Sequence, residues 1–192
     1  MFITSMQEYY NCYSFSFCNK DETEVGNKII LPATALTSLN YLHVPLPMTF
    51  QLSNPEKGLI THCGVLEFSS DKNDVAYVPS WMMRNLSLEE GGLILVSNVF
   101  LPQGTQIKIQ PQQKEFIFSC DDPKTILELC LNRYTCLSQG DVFRVAYGDR
   151  TFDIAVLECK PEPAIRIVDA DIAVDFAPPA DYDEMRHDSR RV

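Results

Sequence analysis

The sequence predicts a mainly β protein: a closed barrel of two interlocked halves, followed by a small mixed α/β lobe. Three observations lead there. A strand–proline–short helix–strand pattern occurs twice with one period. The segment between the copies, residues 61–68, is partly apolar on both faces. Beyond residue 111 the pattern changes to an amphipathic helix and a hairpin.

Lys28-Ile29-Ile30-Leu31 reads as a short strand. Pro32 after it suits the first turn of a helix, where proline's missing N–H is not needed. Residues 33–39 then make a brief helix with Ala35, Leu36 and Leu39 on one side. The device returns later: Ala76-Tyr77-Val78 is a strand, Pro79 opens a helix, and residues 80–86 continue it. Pro32 and Leu39 recur as Pro79 and Leu86, both 47 positions on (79 − 32 and 86 − 39). Each copy leads into strand-like sequence, residues 48–52 and 93–100. Matching halves of this kind imply a pseudo-symmetric barrel.

Between the copies, Cys63, Val65 and Glu67 fall on one face of a strand, and His62, Gly64, Leu66 and Phe68 on the other. Residues 105–110 alternate apolar and polar and are expected to be the last strand of this first unit, residues 9–110. Pro111-Gln112-Gln113-Lys114 is the expected junction. Asp122-Pro123 reads as an N-cap with a first-turn proline, and Leu127, Cys130, Leu131 and Tyr134 follow at helical spacing. Residues 142–147 and 151–159 flank Gly148-Asp149-Arg150 as a hairpin, and residues 164–168 and 172–176 add two short strands. A second lobe of one helix on a small sheet is therefore expected at residues 114–176. Residues 177–192, with Pro178-Pro179 and no apolar periodicity, are expected to be a flexible tail or the start of a linker.

Twenty-six acidic against 16 basic side chains leave a net charge of −10 on the 192 residues. Such a surface repels phosphate backbones, so nucleic acid is not an expected partner. The first eight residues have neither a basic region nor a long apolar stretch, so no secretory signal is expected. The most apolar run, residues 91–101, is broken by Ser97 and Asn98 and is too short to cross a bilayer. Direct membrane insertion is not expected. The seven cysteines (Cys12, Cys18, Cys63, Cys120, Cys130, Cys136 and Cys159) are odd in number and form no Cys-x-x-Cys pair. They read as reduced structural thiols of a cytosolic or nuclear protein, not as a disulfide framework or a zinc site.

Catalytic signatures are scarce. There is no phosphate-binding or dinucleotide glycine loop, no His-Glu-x-x-His and no Gly-x-Ser-x-Gly, and only His43, His62 and His187 supply imidazoles. Adjacent residues of a strand point to opposite faces, so His62 and Cys63 do not form a thiol–imidazole pair; Cys63 is read as a buried thiol. Glu89-Glu90-Gly91-Gly92 reads as a solvated helix end with a left-handed turn. Asp169, Asp171 and Asp175 alternate, as a solvated acidic edge on one face of an extended segment. Trp81-Met82-Met83 reads as core under the second short helix. Some interlocked six-stranded barrels are enzymes, either self-cleaving at a Gly-Ser step or carrying Asp-Thr/Ser-Gly; neither step occurs here. No catalytic residue, metal site or cofactor is assigned. The residues point to binding.

Several runs resemble, in order, one known family. They are Lys28-Ile29-Ile30-Leu31-Pro32-x-x-Ala35-Leu36, then Thr61-His62-Cys63-Gly64-Val65-Leu66-Glu67-Phe68. Next comes Pro79-x-Trp81-Met82-Met83-x-Asn85-Leu86-x-Leu88-Glu89-Glu90-Gly91-Gly92. Lys108-Ile109-Gln110-Pro111-Gln112, Cys136-Leu137-Ser138-Gln139-Gly140-Asp141 and Val174-Asp175-Phe176 continue the series. Together, over about residues 9–182, they resemble the N-terminal domain of the ubiquitin fusion degradation protein family.

The resemblance implies a double-psi β-barrel subdomain followed by a small mixed α/β subdomain. It also implies a non-catalytic adaptor that binds ubiquitin chains. With its partner, nuclear protein localisation protein four, such an adaptor recruits ubiquitinated substrates to the AAA+ unfoldase valosin-containing protein for proteasomal degradation. The implied location is cytoplasm and nucleus, acting also at the endoplasmic-reticulum surface. The segments that contact unfoldase and partner lie beyond this domain in the family. No Phe-x-Gly-x-Gly box occurs here, so the chain is read as a fragment or a short version. The matching motifs are fold motifs and assign no ubiquitin-contact residues. The concave surface shared by the two lobes is the first place expected to hold a ligand. Two other readings stand beside the adaptor: an enzyme on the same barrel, and the substrate-recognition N-domain of an AAA+ protein.

Overall fold

The computed structural model describes residues 5–20 and 24–182. Six strands close into a barrel: β1 (Gln7–Ser14), β2 (Lys28–Pro32), β3 (Thr49–Asn54), β4 (Leu59–Ser70), β5 (Val75–Val78) and β6 (Gly92–Val99). Their order is β1-β5-β2-β4-β3-β6, with β6 returning to β1. Exchanging β1 with β4, β2 with β5 and β3 with β6 reproduces the same set of neighbours. The 47-residue sequence repeat is thus a two-fold of the barrel. The pairs β1/β5 and β2/β4 run parallel, and the remaining pairs antiparallel. This is the double-psi barrel that the resemblance implies.

The interior follows from strand alternation. Tyr10 and Cys12 of β1, Phe50 and Leu52 of β3, Cys63 of β4, and Ile94 and Val96 of β6 are all buried. The short helices α1 (Ala33–Tyr41) and α2 (Ser80–Asn85) follow the paired prolines, but each proline stands one place earlier than the first turn. Pro32 and Pro79 are N-caps with extended backbone (ψ 159° and 139°), which proline's fixed φ allows. In α1, Ala35 and Leu39 are buried, whereas Leu36 is only half-buried.

The second lobe comprises β7 (Gln106–Pro111), α3 (Glu115–Ser119), α4 (Pro123–Leu131), β8 (Cys136–Ser138), β9 (Val142–Tyr147), β10 (Arg150–Lys160), β11 (Ala164–Arg166) and β12 (Ala173–Phe176). A four-stranded sheet runs β12-β7-β10-β9, and β11 pairs with β8. The helix start is as expected: Asp122 caps α4, its carboxylate accepting from Thr125 N at 3.2 Å. The Gly148-Asp149 turn joins β9 to β10, with Gly148 at φ 62°.

Four expectations need correction. The strand at residues 106–111 does not complete the barrel. It lies in the second sheet between β10 and β12, where Ile107 and Ile109 are buried. Alternation marks a strand but does not name its partner. Pro111 is consequently a buried, paired residue and not a loose joint. The segment after Phe176 is docked as far as Tyr182: Ala177 N and Ala180 N donate to Ile109 O and Pro111 O, and Lys114 N to Asp181 Oδ1 at 2.8 Å. Residues 183–192 of the expected tail lie outside the described residues. Of the three alternating aspartates only Asp175 is in a strand; Asp169 has φ 54° in the preceding turn, which ends the alternation.

Trp81 sits beneath α2 as expected and is 1% exposed. Its indole Nε1 donates to Gly26 O at 2.9 Å, and its ring lies 6.0 Å from that of Tyr134 in the second lobe. Trp81→Ala should therefore empty a site shared by both lobes and destabilise the protein by about 3–5 kcal/mol, measured by chemical denaturation. An unchanged unfolding midpoint would place the indole outside the core.

Candidate functional site

The ground between the lobes is crossed by polar contacts. Asn27, 1% exposed, donates from Nδ2 to Cys136 O at 2.6 Å and accepts from Thr135 N at 2.8 Å. On β4, the Thr61 hydroxyl donates to the Asp141 carboxylate, and His62 Nδ1 shares a hydrogen bond with Ser138 Oγ at 2.9 Å. Asn85 of α2 exchanges two bonds with the backbone of Val142 (3.2 and 3.3 Å). A Cβ on Gly64 would stand 2.2 Å from Thr135 Oγ1, so glycine is what lets β8 approach β4. These groups hold the two lobes together across the seam.

The barrel surface on the other side of β3 is open. Outward positions are the odd residues of β1, β3 and β6, because their even neighbours fill the interior. The register aligns Tyr9 with Leu95, Leu95 with Ser53, and Ser53 with Ile60. Leu93, opposite Asn11, extends this row. Tyr9 is 57% exposed, Ile60 51% and Leu93 45%, so the row is an apolar band on solvent, interrupted by Ser53 between Leu95 and Ile60. Its rim is acidic. Asp74 holds the side chain of Asn11 at 3.2 Å, Glu56 lies in the turn joining β3 to β4, and Glu89 and Glu90 precede β6. Glu90 is not only solvated, as the sequence suggested: it accepts from Ser14 N at 2.8 Å, anchoring the turn at Gly91 (φ 80°).

Comparison with known proteins gives the band its context. The family description "Ubiquitin fusion degradation protein UFD1, N-terminal subdomain 1" matches residues 6–102, and "N-terminal subdomain 2" of the same family matches residues 103–179. The chain belongs to the UFD1 family. It is 41% identical over 179 residues to the human "Ubiquitin recognition factor in ER-associated degradation protein 1", covering 91% of this chain and 58% of that protein. It is 41% identical over 180 residues to the "Ubiquitin fusion degradation protein 1 homolog" of Dictyostelium discoideum, covering 93% and 54% respectively. The Saccharomyces cerevisiae "Ubiquitin fusion degradation protein 1" is 38% identical over 187 residues, covering 94% and 51%. The chain thus spans a little over half the length of these relatives.

In this UFD1-family chain the one adjacent thiol–imidazole pair is split as expected. Cys63 is fully buried inside the barrel, and burial pushes its thiol well above the usual range. His62 faces the other way, onto Ser138. Cys12, Cys120, Cys136 and Cys159 are also buried, and Cys18 and Cys130 partly so. Trp81, Met82 and Met83 belong to the core and not to a surface patch. Among the described residues no helix is long and apolar enough to cross a membrane. The open band was missed in the sequence, because Tyr9, Ile60 and Leu93 come from three distant strands and only the barrel register aligns them.

The seam contains two titrating groups with opposite tendencies. Burial raises the Asp141 carboxyl from 3.8 to about 7, with the Thr61 hydrogen bond opposing. Burial lowers the His62 imidazole from 6.5 to about 4. Between pH 4 and 7 the folded chain keeps an Asp141 proton that the unfolded chain has lost, so this group's contribution to stability falls as pH rises. Between pH 4 and 6.5 the unfolded chain holds a His62 proton that the folded chain lacks, so the imidazole's contribution rises with pH. Each slope is at most about 1.4 kcal/mol per pH unit, and in the shared window they oppose. Relative to the parent, Asp141→Asn should make stability climb from pH 4.5 to 6, and His62→Gln should make it decline, in urea melts at each pH. Three parallel profiles would contradict the assignment.

Proposed function

We propose that the chain is a non-catalytic module that binds ubiquitin chains through the open β1–β6–β3 face. The observation behind this is the apolar band of Tyr9, Leu93, Leu95 and Ile60 with its acidic rim. It complements a partner whose own recognition face is apolar and flanked by basic residues, as ubiquitin's is. Membership in the UFD1 family and the name of the human relative, a ubiquitin recognition factor, support the same partner. In longer proteins of the family, bound clients would pass with the help of the nuclear protein localisation protein four homologue to the AAA+ unfoldase valosin-containing protein. Those contacts would use segments outside this chain, in cytoplasm and nucleus and at the endoplasmic-reticulum surface. The boundary between the lobes lies at Pro102–Gln103 in this reading, supported by the place of β7 in the second sheet.

A contact of this size buries less than about 1,200 Å², so single ubiquitin should bind at high micromolar strength or weaker. A chain that engages any second weak contact gains ~10²-fold by effective concentration. With a net charge of −10, added salt should slow association more than it speeds release. Titrating labelled mono-, di- and tetra-ubiquitin onto the protein measures both effects. Tyr9→Ala with Leu93→Ser should weaken tetra-ubiquitin by about tenfold or more with little change in melting temperature, since both side chains face solvent. Unaltered binding by that double variant rules out the band; equal affinity for every chain length rules out the avidity.

A further inference from the structure

A second concavity lies where α1 packs beside the start of β1. Met6, Glu8, Thr37, Ser38, Tyr41 and Leu42 line a cavity of about 540 Å³, enough for a side chain and its flanking peptide. Its walls are largely apolar, and Glu8 is the carboxylate within it. Glu8 Oε1 accepts from Ser38 Oγ at 3.1 Å, and Oε2 accepts from the Tyr10 hydroxyl. An ionised carboxylate has about four acceptor positions, so two remain. Among the described residues no lysine or arginine forms an ion pair with Glu8.

We propose that this cavity receives a lysine side chain presented by a partner segment. Its methylenes lie along Met6 and Leu42, its ammonium completes the coordination of Glu8, and the exposed Tyr41 ring lies at the rim for a cation–π contact. Lysine fits better than arginine. Hydroxyls already approach both oxygens of Glu8, and the positions left suit a compact point charge but not a planar fork. The excess of acidic side chains favours a basic segment at long range as well. Strand alternation sends Glu8 and Tyr9 to opposite faces of β1, and although Gln7 also lines the cavity, none of Tyr9, Ile60, Leu93 and Leu95 does.

Methyl and amide NMR titration of the whole chain tests it, with N-acetyl-leucyl-lysine amide as the probe and N-acetyl-leucyl-norleucine amide as its uncharged twin. The lysine peptide should shift the Met6 methyl and the Tyr41 and Leu42 amides, saturating at roughly millimolar concentration. The norleucine peptide should bind about tenfold more weakly or less, and Glu8→Gln should erase that difference. The buried Met82 and Met83 methyls report whether the variant keeps its core. If Glu8→Gln does not fold, the two peptides on the unaltered chain still decide. Equal binding of both peptides, or no shift at Met6 with the lysine peptide at about 10 mM, overturns the proposal.

Discussion

The arrangement of this molecule depends on one buried amide. Asn27 lies just before β2 and uses both ends of its side chain on the backbone of Thr135 and Cys136, 108 and 109 positions away. A buried amide left unmatched is costly, so the second lobe is stable against the barrel only where those two backbone groups meet it. Gly64 admits β8 at the same place, and Gly26 carries the carbonyl that accepts the Trp81 indole. Polar matching and aromatic packing therefore fix one orientation. Its consequence is functional: β8 covers β4 at His62, while the outer faces of β1, β6 and β3 stay open.

Local chemistry made much of this fold legible in the sequence. Pro32 and Pro79 each separate a strand from a short helix, and their common spacing announced the two-fold of the barrel. Asp122 caps α4 and Gly148 turns a hairpin, both within a few residues of the elements they control. β1 was harder to see. Glu8 and Ser14 occupy the same side of the strand as Tyr10 and Cys12, so the apolar alternation is interrupted. The sheet membership of β7 was invisible for a different reason: its alternation is the same whichever sheet it joins.

The candidate surfaces were less legible than the fold. The seam joins Thr61 to Asp141 and His62 to Ser138, pairs separated by 80 and 76 residues, and nothing local ties them together. The band is hidden for a subtler reason, since one exposed tyrosine or leucine is ordinary on a protein surface. Only the register Tyr9–Leu95–Ser53–Ile60 aligns scattered residues on one face of the barrel. The proposed binding surface is this face, whereas the sequence directed attention first to the cleft between the lobes.

Amide hydrogen exchange with and without bound tetra-ubiquitin tests this location most directly. Peptides spanning residues 7–12, 51–60 and 92–97 should gain protection, while those spanning residues 133–142 at the seam should remain as they are in the free protein. Protection confined to the seam, with the β1–β6–β3 face unchanged, would contradict the assignment of the open barrel face as the binding surface.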